Sequence, residues 1–329
     1  MAKIVTILGG SGFVGRYVAQ RMAARGWRVR VACRHINNAN FVRLYGVVGQ
    51  VEPVFCNIRD DASVREVTRA ADAVVNCVGI LAESRRQSFE ALQSEGAARI
   101  ARIAAEEGVE KLVQISAIGA DEDSPSEYAR TKAQGEAAVR EAFPGAVILR
   151  PSIIFGSEDE FFNRFASMAA RSPVLPLVNG KVRFQPVWVD DVAQAVERAL
   201  TSRVEPGIYE LGGPDVRTFR ELMEEMLDVI RRRRLIVSSP IWAGRIMGGG
   251  FDLVGKLTGG LISGPLTRDQ VDNLSSDNVV GDGARTFADL GIEPTATEAV
   301  LPGYLWRFRR SGQYSDIKES ARRLRSRQE

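Results

Sequence analysis

Three glycines near the start of the chain, Gly9, Gly12 and Gly15, have the spacing of a loop that holds a dinucleotide. They follow an apolar predicted strand and precede a predicted helix over residues 16–24. Without a side chain at position 12 a pyrophosphate can approach the backbone, and without one at position 15 the helix can pack closely on the strand. The phosphates would then face the free N–H groups of the helix N-terminus. The predicted nucleotide site runs along residues 9–14 and includes Ser11, Phe13 and Val14.

A second group, Tyr128 and Lys132, has the i, i+4 spacing that places two side chains on one face of a helix. Such a pair can hold a nicotinamide ribose, and the lysine can lower the pKa of the tyrosine, which then gives or takes a proton. The same spacing is common on ordinary surface helices. Its position after a glycine loop and several strands favours the chemical interpretation.

Three further positions follow predicted strands, at the places where a cofactor would lie. Arg34 stands where an acid would bind the adenosine ribose, so an arginine favours the 2′-phosphate of NADP; the alternative is a solvated arginine. Asn57 and Ile58 follow the third strand, where an adenine edge would lie. Gly79 follows the fourth strand and would let the backbone approach the cofactor.

Strands alternate with helices along the first two thirds of the chain. Strands are predicted at residues 27–33, 51–55, 73–77, 111–116, 146–149 and 208–211, and helices at residues 60–70, 85–107, 160–170, 191–200 and 218–230. This order predicts an α/β fold: a Rossmann-type doubly wound parallel sheet with a smaller mixed C-terminal lobe. Its ligand crevice would lie beyond the C-terminal ends of the strands.

The domain boundary is expected near Phe155. Residues 1–155 would form an NADP-binding domain whose sheet is completed within residues 182–214, and residues 156–181 and 215–329 would form the lobe and a basic tail. Within this second part, residues 172–176 are predicted to be a loop. Asp190 is expected to cap a helix rather than to catalyse, and Thr218 with Glu221 to form a capping box.

Composition excludes several classes of function. The formal net charge of +3 on 329 residues is too small to indicate nucleic acid binding. One histidine, His35, and three cysteines without a paired spacing indicate no metal site and no disulfide framework, so buried thiols are expected. We also expect no signal peptide and no membrane-spanning segment.

The charge is concentrated at the C-terminal end. Residues 301–329 hold eight Lys and Arg and three acids, a net charge of +5, which leaves −2 for the rest. Tyr304, Trp306 and Phe308 alternate with arginines there, a composition suited to an interface. Residues 241–262 combine apolar side chains with glycines, which fits either a pair of lobe helices or an interfacial segment.

The motifs together resemble the short-chain dehydrogenase/reductase superfamily in its extended and atypical branch. They are the glycine loop and the sequences at 76–79, 128–132, 150–152 and 189–192. A closer resemblance is to the NAD(P)H-binding accessory subunits of respiratory complex I. It rests on Gly135-Glu136, Phe143-Pro144 and residues 153–156, 162–168 and 185–187.

This resemblance implies a tightly held NADP(H) that is not turned over, and a place among complex I subunits at the junction of the peripheral and membrane arms. A bacterial member would lie on the cytoplasmic face of the inner membrane, where an anionic membrane surface is a further possible partner. The cofactor contacts then also include Val78, Ile80, Ser116, Tyr128, Lys132, Pro151 and Ile153.

One departure bears on catalysis. Active members have a Ser or Thr near the end of the fifth strand, within reach of the tyrosine, and the best register places Ala117 there with Ser116 one residue early. Because side chains alternate along a strand, this slip turns Ser116 to the other side. In the alternative register, Ser116 itself provides the hydroxyl. Two interpretations remain open. One is a cofactor-holding, non-catalytic subunit, in which Ser116, Tyr128 and Lys132 are vestigial or position the cofactor. The other is a soluble NADP-dependent reductase or nucleotide-sugar epimerase.

Overall fold

The computed structural model describes residues 2–84, 87–257 and 267–314, and the side chains of 251–257 and 313 lie outside the described part. Seven parallel strands form the main sheet: β1 Ile4–Leu8, β2 Arg28–Cys33, β3 Val51–Phe55, β4 Ala73–Asn76, β5 Lys111–Ile115, β6 Val147–Pro151 and β11 Gly207–Leu211. Their spatial order is β11-β6-β5-β4-β1-β2-β3. The direction of winding reverses between β1 and β4, so the crevice of a doubly wound sheet lies there. The predicted fold class is confirmed.

Helices cover both faces of this sheet because its central strands are apolar on both sides. Helices α1 Phe13–Ala24 and α6 Val189–Thr201 pack on one face, where valines of β1 and β2 are buried. The other face is covered by α2 Asp61–Thr68, α3 Glu95–Glu106 and α4 Glu127–Ala142. The third glycine of the loop, Gly15, lies in α1, close to Gly9 and Gly10. The apolar side chains buried between the sheet and the helices on each face hold the C-terminal ends of β1, β4 and β5 at one edge.

The C-terminal lobe has a core of its own. Its helices are α5 Phe162–Arg171, α7 Phe219–Val229, α8 Ile241–Leu257, α9 Arg268–Asn273 and α10 Thr297–Leu305. Three two-stranded sheets accompany them: β7 Ile154–Phe155 with β10 Val187–Trp188, β9 Arg183–Phe184 with β12 Arg217–Thr218, and β8 Val174–Val178 with β13 Leu235–Ser239. Six phenylalanine rings meet in this core at centroid distances of 5.0–6.1 Å.

Three local predictions need correction. Residues 172–176 are not all loop, because β8 begins at Val174 and pairs in parallel with Leu235 of β13. Asp190 does not cap a helix: α6 begins one residue earlier, and the carboxylate of Asp190 pairs with Arg21 of α1 at 2.7 Å. The helix predicted from residue 85 begins at a π-helical turn, Glu90–Ser94, that leads into α3.

Two other local predictions are confirmed, the capping box of α7 and the burial of two of the three thiols. Thr218 and Glu221 form the expected capping box at the start of α7. Cys33, Cys56 and Cys77 are free thiols, and Cys33 and Cys56 are buried. Within the described residues, no group of side chains could hold a metal ion, and no helix is long and apolar enough to cross a bilayer.

Residues 241–257 of the apolar segment predicted at 241–262 form one long helix of the lobe, α8. Residues 258–262 lie outside the described residues. Glycines form the inner face of α8: a Cβ on Gly244 would lie 2.6 Å from Val178, and one on Gly248 would lie 2.9 Å from the backbone of Arg268. Trp242 and Ile246 are instead 66% and 70% exposed. The helix therefore packs closely through small residues and presents large ones to solvent.

The described part of the tail differs from expectation at one residue. Tyr304 is buried in α10, where its hydroxyl donates to Asp159 at 2.5 Å, so it belongs to the lobe core and not to an outer surface. Trp306 is 38% exposed. The basic residues from Lys318 onward lie outside the described residues.

Candidate functional site

The glycine loop has the close contacts that its spacing predicts. Gly9 has a φ of +74°, and a Cβ there would lie 3.1 Å from the backbone of residues 77 and 78. A Cβ on Gly15 would lie 2.5 Å from Gly10 Cα and from the Gly9 carbonyl oxygen. Only glycine satisfies both contacts, so the loop, α1 and the end of β4 can lie against each other. The expected role of Gly15 in close helix packing is confirmed.

The start of α1 suits an anion. Gly12, its N-cap residue, is exposed and provides no capping side chain, and the first turn contains no acidic residue. A Cβ on Gly12 would meet only the Gly9 carbonyl oxygen, at 3.1 Å. The side of Gly12 that a pyrophosphate would approach is therefore open, and the helix dipole favours negative charge there. The loop fits a dinucleotide.

The other predicted cofactor contacts lie at the same edge of the sheet, because each follows or ends a parallel strand. Arg34 and Gly79 are exposed after β2 and β4. A Cβ on Gly79 would have Lys132 Nζ as its nearest neighbour, at 3.5 Å, so this glycine lies beside the lysine. Half-buried positions are Ser11, Phe13, Val14, Asn57, Val78, Ile80 and Ile153, and buried positions are Ile58 and Pro151. Nothing in the geometry assigns these residues to one cofactor.

Tyr128 and Lys132 meet on α4 as their spacing predicts. Lys132 Nζ lies 5.9 Å from the centroid of the Tyr128 ring and donates to the Ile115 carbonyl oxygen at 3.3 Å. Burial lowers the pKa of Lys132 to about 8, and the nearby carboxylate of Glu136 opposes this shift. Burial raises the pKa of Tyr128 to about 12, and the charge of Asp269 adds to the rise. The expectation that Lys132 lowers the tyrosine pKa is therefore wrong for this structure.

The hydroxyl of Ser116 is paired with Glu136. It forms a short hydrogen bond with Glu136 Oε1, and both residues are buried. Glu136 lies two helical turns beyond Tyr128 on α4, which is about 12 Å along the helix axis. The serine hydroxyl is thus paired at a different level of the helix from the tyrosine. Ala117, which follows Ser116, contributes only a methyl group.

Sequence reasoning missed the ion pairs that hold Glu136. Arg150, at the end of β6, donates to both carboxylate oxygens of Glu136, with the shortest distance 2.7 Å, and reaches Glu210 of β11 at 3.4 Å. Hydrogen bonding to Glu136 raises the pKa of Arg150. The i, i+4 spacing places Glu136 on the same helix face as Lys132, but nothing in the sequence relates it to Arg150.

A second missed contact comes from the lobe. Asp269 in α9 accepts hydrogen bonds from the Ser126 hydroxyl at 3.0 Å and from the Glu127 backbone N–H at 2.6 Å. Its neighbour Gln270 donates to the Leu81 carbonyl oxygen at 3.2 Å. Helix α9 therefore fixes both the start of α4 and the loop after β4. No spacing in the sequence relates residues this far apart.

Comparisons with known proteins agree with this architecture. Residues 5–212 match the NAD dependent epimerase/dehydratase family. Among solved structures, the Bordetella bronchiseptica enzyme WbmG in complex with NAD superimposes with a TM-score of 0.70 at 12% identity, covering 94% of each chain. The crystal structure of gox2253 gives the same TM-score at 20% identity, covering 94% of this chain and 99% of that one. Both likenesses concern the fold.

Proteins found by sequence comparison are more similar to this chain in sequence than those two structures are. NADH dehydrogenase (ubiquinone) 1 alpha subcomplex subunit 9 of Arabidopsis thaliana mitochondria is 36% identical over 94% of this chain and 79% of its own length. The mitochondrial NADH-ubiquinone oxidoreductase 40 kDa subunit of Neurospora crassa is 32% identical over 97% and 83%. Ceramide reductase of Caulobacter vibrioides is 30% identical over 72% and 74%. The chain thus belongs to the NAD dependent epimerase/dehydratase family of the short-chain dehydrogenase/reductase superfamily and is homologous to these accessory subunits of complex I.

Proposed function

We propose that the protein is an accessory subunit of complex I that holds NADP(H) as a structural ligand and does not turn it over. The observation that carries this proposal is the pairing of the Ser116 hydroxyl with the buried carboxylate of Glu136. The loop that would bind the cofactor keeps its geometry, while the hydroxyl that would orient a substrate is engaged elsewhere. In this proposal residues 1–155 bind the cofactor and the lobe contacts partner subunits.

Loss of the hydroxyl donor should lower the rate of any reaction at this site. A positioned donor that stabilises a reacting carbonyl oxygen contributes about 10²–10³ to the rate. Here Ala117 provides no donor and Ser116 is held by a charged partner, which makes its release from Glu136 costly. Burial raises the pKa of Tyr128 to about 12, so it stays protonated at neutral pH and could act as a proton donor but not as a base. Bound NADP(H) would stabilise the fold by linkage without chemistry.

The preference for NADP(H) is part of the proposal and rests on Arg34. Its side chain is exposed at the end of β2, beside the glycine loop in the sheet order. An arginine there can form charge-assisted hydrogen bonds with a 2′-phosphate, whereas no carboxylate follows β2 directly to bind a ribose hydroxyl.

The proposed setting is a bacterial complex I, with the subunit on the cytoplasmic face of the inner membrane at the junction of the two arms. The homologous mitochondrial subunits support the assembly, and the exposed side chains of α8 support a docking surface on the lobe. An anionic membrane surface would attract the basic tail. Charge of that kind is screened beyond a Debye length of about 8 Å at physiological salt.

A second candidate function is a soluble NADP-dependent reductase or nucleotide-sugar epimerase. The specific observation in its favour is that Tyr128 and Lys132 remain side by side on α4. Similarity to the ceramide reductase of Caulobacter vibrioides also favours a reductase. This alternative predicts exchange of the cofactor during turnover, whereas the structural role predicts retention.

Native mass spectrometry of the protein extracted in mild detergent tests the assembly and the cofactor together. We expect the mass of NADP(H) on the chain and co-purification with complex I subunits. NADPH oxidation with aldehydes, ketones and quinones should not exceed the rate of the Tyr128→Phe variant. Turnover of about 1–10³ s⁻¹ that Tyr128→Phe abolishes would instead establish the enzyme.

A further inference from the structure

A short segment after β7 connects the glycine loop with the lobe. Residues 156–159, which we call the strap, pass against the first turn of α1. A Cβ on the buried Gly156 would lie 2.7 Å from Val189 Cγ1 and 3.3 Å from the ring of Phe13. The strap backbone therefore lies directly against Phe13, the residue that follows Gly12 in the glycine loop. Any larger residue at position 156 would separate the two.

Glu158 attaches the strap to α1 by polar contacts. Its carboxylate accepts a hydrogen bond from Tyr17 Oη at 3.0 Å and pairs with Arg16 Nη1 at 3.3 Å. The same guanidinium donates to the carbonyl oxygens of Gly12 and Ser11, at 3.3 and 3.4 Å. One arginine side chain thus joins the strap to two backbone groups of the loop that would hold the pyrophosphate.

Asp159 attaches the strap to the lobe. Its carboxylate is 3% exposed and accepts hydrogen bonds from the backbone N–H groups of Gly156 and Asn163, at 3.1 and 3.0 Å. It also accepts the hydroxyl of Tyr304 in α10 at 2.5 Å. Arg307, just past α10, donates to the Ser157 carbonyl oxygen at 2.8 Å. Removing any donor from a buried carboxylate destabilises it, so α10 and the strap stabilise each other.

We propose that the strap couples occupancy of the dinucleotide site to the order of α10, so that the cofactor-loaded chain presents a more ordered C-terminal lobe to its partners. This regulation rests on the proposed cofactor site. A ligand that fixes residues 9–14 also fixes Phe13 and Arg16, which restrict the strap, and the strap restricts Tyr304. Coupling of this kind is reciprocal: the factor by which bound cofactor favours the ordered state of α10 is the factor by which ordered α10 raises the affinity for the cofactor. Weakening the strap should therefore lower both.

Hydrogen exchange with and without NADPH tests this coupling in the full chain. In the wild type, NADPH should slow exchange in two separate peptides, one covering residues 9–24 and one covering residues 297–308. Two variants cut the strap on opposite sides: Glu158→Gln removes the charge that faces α1, and Tyr304→Phe removes the hydroxyl that reaches Asp159. In each, NADPH should protect residues 9–24 but no longer residues 297–308.

Tyr209→Phe is the matched control for Tyr304→Phe. It removes another buried tyrosine hydroxyl, which donates to the Glu205 carbonyl oxygen at 2.9 Å and does not touch the strap. Protection of both peptides should persist in this variant. The affinity for NADPH should fall about fivefold or more in Glu158→Gln and remain unchanged in Tyr209→Phe.

The outcomes distinguish failure of the coupling from failure of the proposed cofactor site. Protection of residues 9–24 without protection of residues 297–308 in the wild type would overturn the coupling and leave the cofactor site standing. Undiminished protection of residues 297–308 in Glu158→Gln and Tyr304→Phe would also overturn the coupling. Protection of neither peptide in the wild type would overturn the cofactor site, and the coupling with it.

Discussion

At the scale of single residues, the site pairs two groups whose pKa values are shifted in opposite directions by the same burial. The charged form of Lys132 loses solvation, so its pKa falls to about 8, and the charged form of Tyr128 loses solvation, so its pKa rises to about 12. A proton-transfer site needs at least one group that changes charge near neutral pH. Here the pKa of the lysine lies nearest that range, and one of its three N–H groups donates to the Ile115 carbonyl oxygen.

The lowered pKa of Lys132 predicts a pH dependence of stability. The unfolded chain has an ordinary lysine pKa near 10.5 and binds more protons than the folded chain above pH 8, so stability rises with pH in that window. Between pH 7 and 9.5 the wild type should gain about 2 kcal/mol relative to Lys132→Met. Urea unfolding at both pH values measures this difference. A constant difference between the two proteins would contradict the predicted shift.

Arg34 is the residue on which cofactor preference depends. Arg34→Ala should weaken NADP(H) binding at least about tenfold, which corresponds to one to a few kcal/mol. NAD(H) binding should stay nearly unchanged, because only NADP has the 2′-phosphate. Calorimetric titration of the apo protein with both cofactors measures the two affinities. Arg59→Ala, which removes another exposed arginine that follows a strand, is the matched control. Equal wild-type affinities for the two cofactors would contradict the assignment.

At the scale of elements, the sequence predicts strands well where β-branched residues are continuous and helix ends less well. The run Val51–Phe55 is a strand with its predicted bounds. The last three residues of the loop predicted at 172–176 are instead the first three residues of β8. Pro176 is exposed in β8, whereas Leu175 and Leu177 are buried. A proline is tolerated in such a short two-stranded sheet, and its partner, β13, is some sixty residues away in the sequence, so no local pattern shows the pairing.

Two helical glycines should respond to alanine in opposite ways. Gly15→Ala places a Cβ 2.5 Å from the backbone of the glycine loop, so the free energy of unfolding should fall by about 1–3 kcal/mol and nucleotide binding should be lost. Gly303→Ala, in α10, meets nothing within 4 Å and should raise stability by up to about 1 kcal/mol. Denaturant unfolding measures both. A rise in stability in both variants would show that helix propensity, not loop packing, decides at position 15.

At the scale of the whole molecule, motifs in the sequence predicted the sheet and its ligand edge but not the contacts that join the lobe to that edge. Tyr128 and Lys132 are neighbours on one helix, so their spacing was enough to bring them together. Asp269 reaches the start of α4, and Tyr304 reaches Asp159, from more than a hundred residues away. Such contacts depend on the packing of the lobe, which no periodicity in a single sequence encodes. The strap could be recognised only from the folded chain.

Attachment to the larger complex should depend on the outer face of α8. Trp242 and Ile246 are exposed, and the opposite face packs through Gly244 and Gly248, so replacing the two large side chains costs the isolated fold little. Trp242→Ser combined with Ile246→Ser should leave the melting temperature within a few degrees of the wild type. Because buried aromatic anchors contribute most to an interface, the same variant should be released from membranes that retain the wild type.

A membrane wash at rising ionic strength distinguishes this docking surface from attraction by charge. Contacts made by the basic tail weaken with salt, whereas burial of α8 does not, so wild-type protein should remain bound at about 1 M salt, where the Debye length is about 3 Å. Leu44→Ser with Val48→Ser is the matched control, since these apolar residues are at least as exposed but lie on the sheet domain. The control should be retained like the wild type. Quantitative release of the wild type by salt, with no complex I subunit co-purifying, would favour the soluble enzyme.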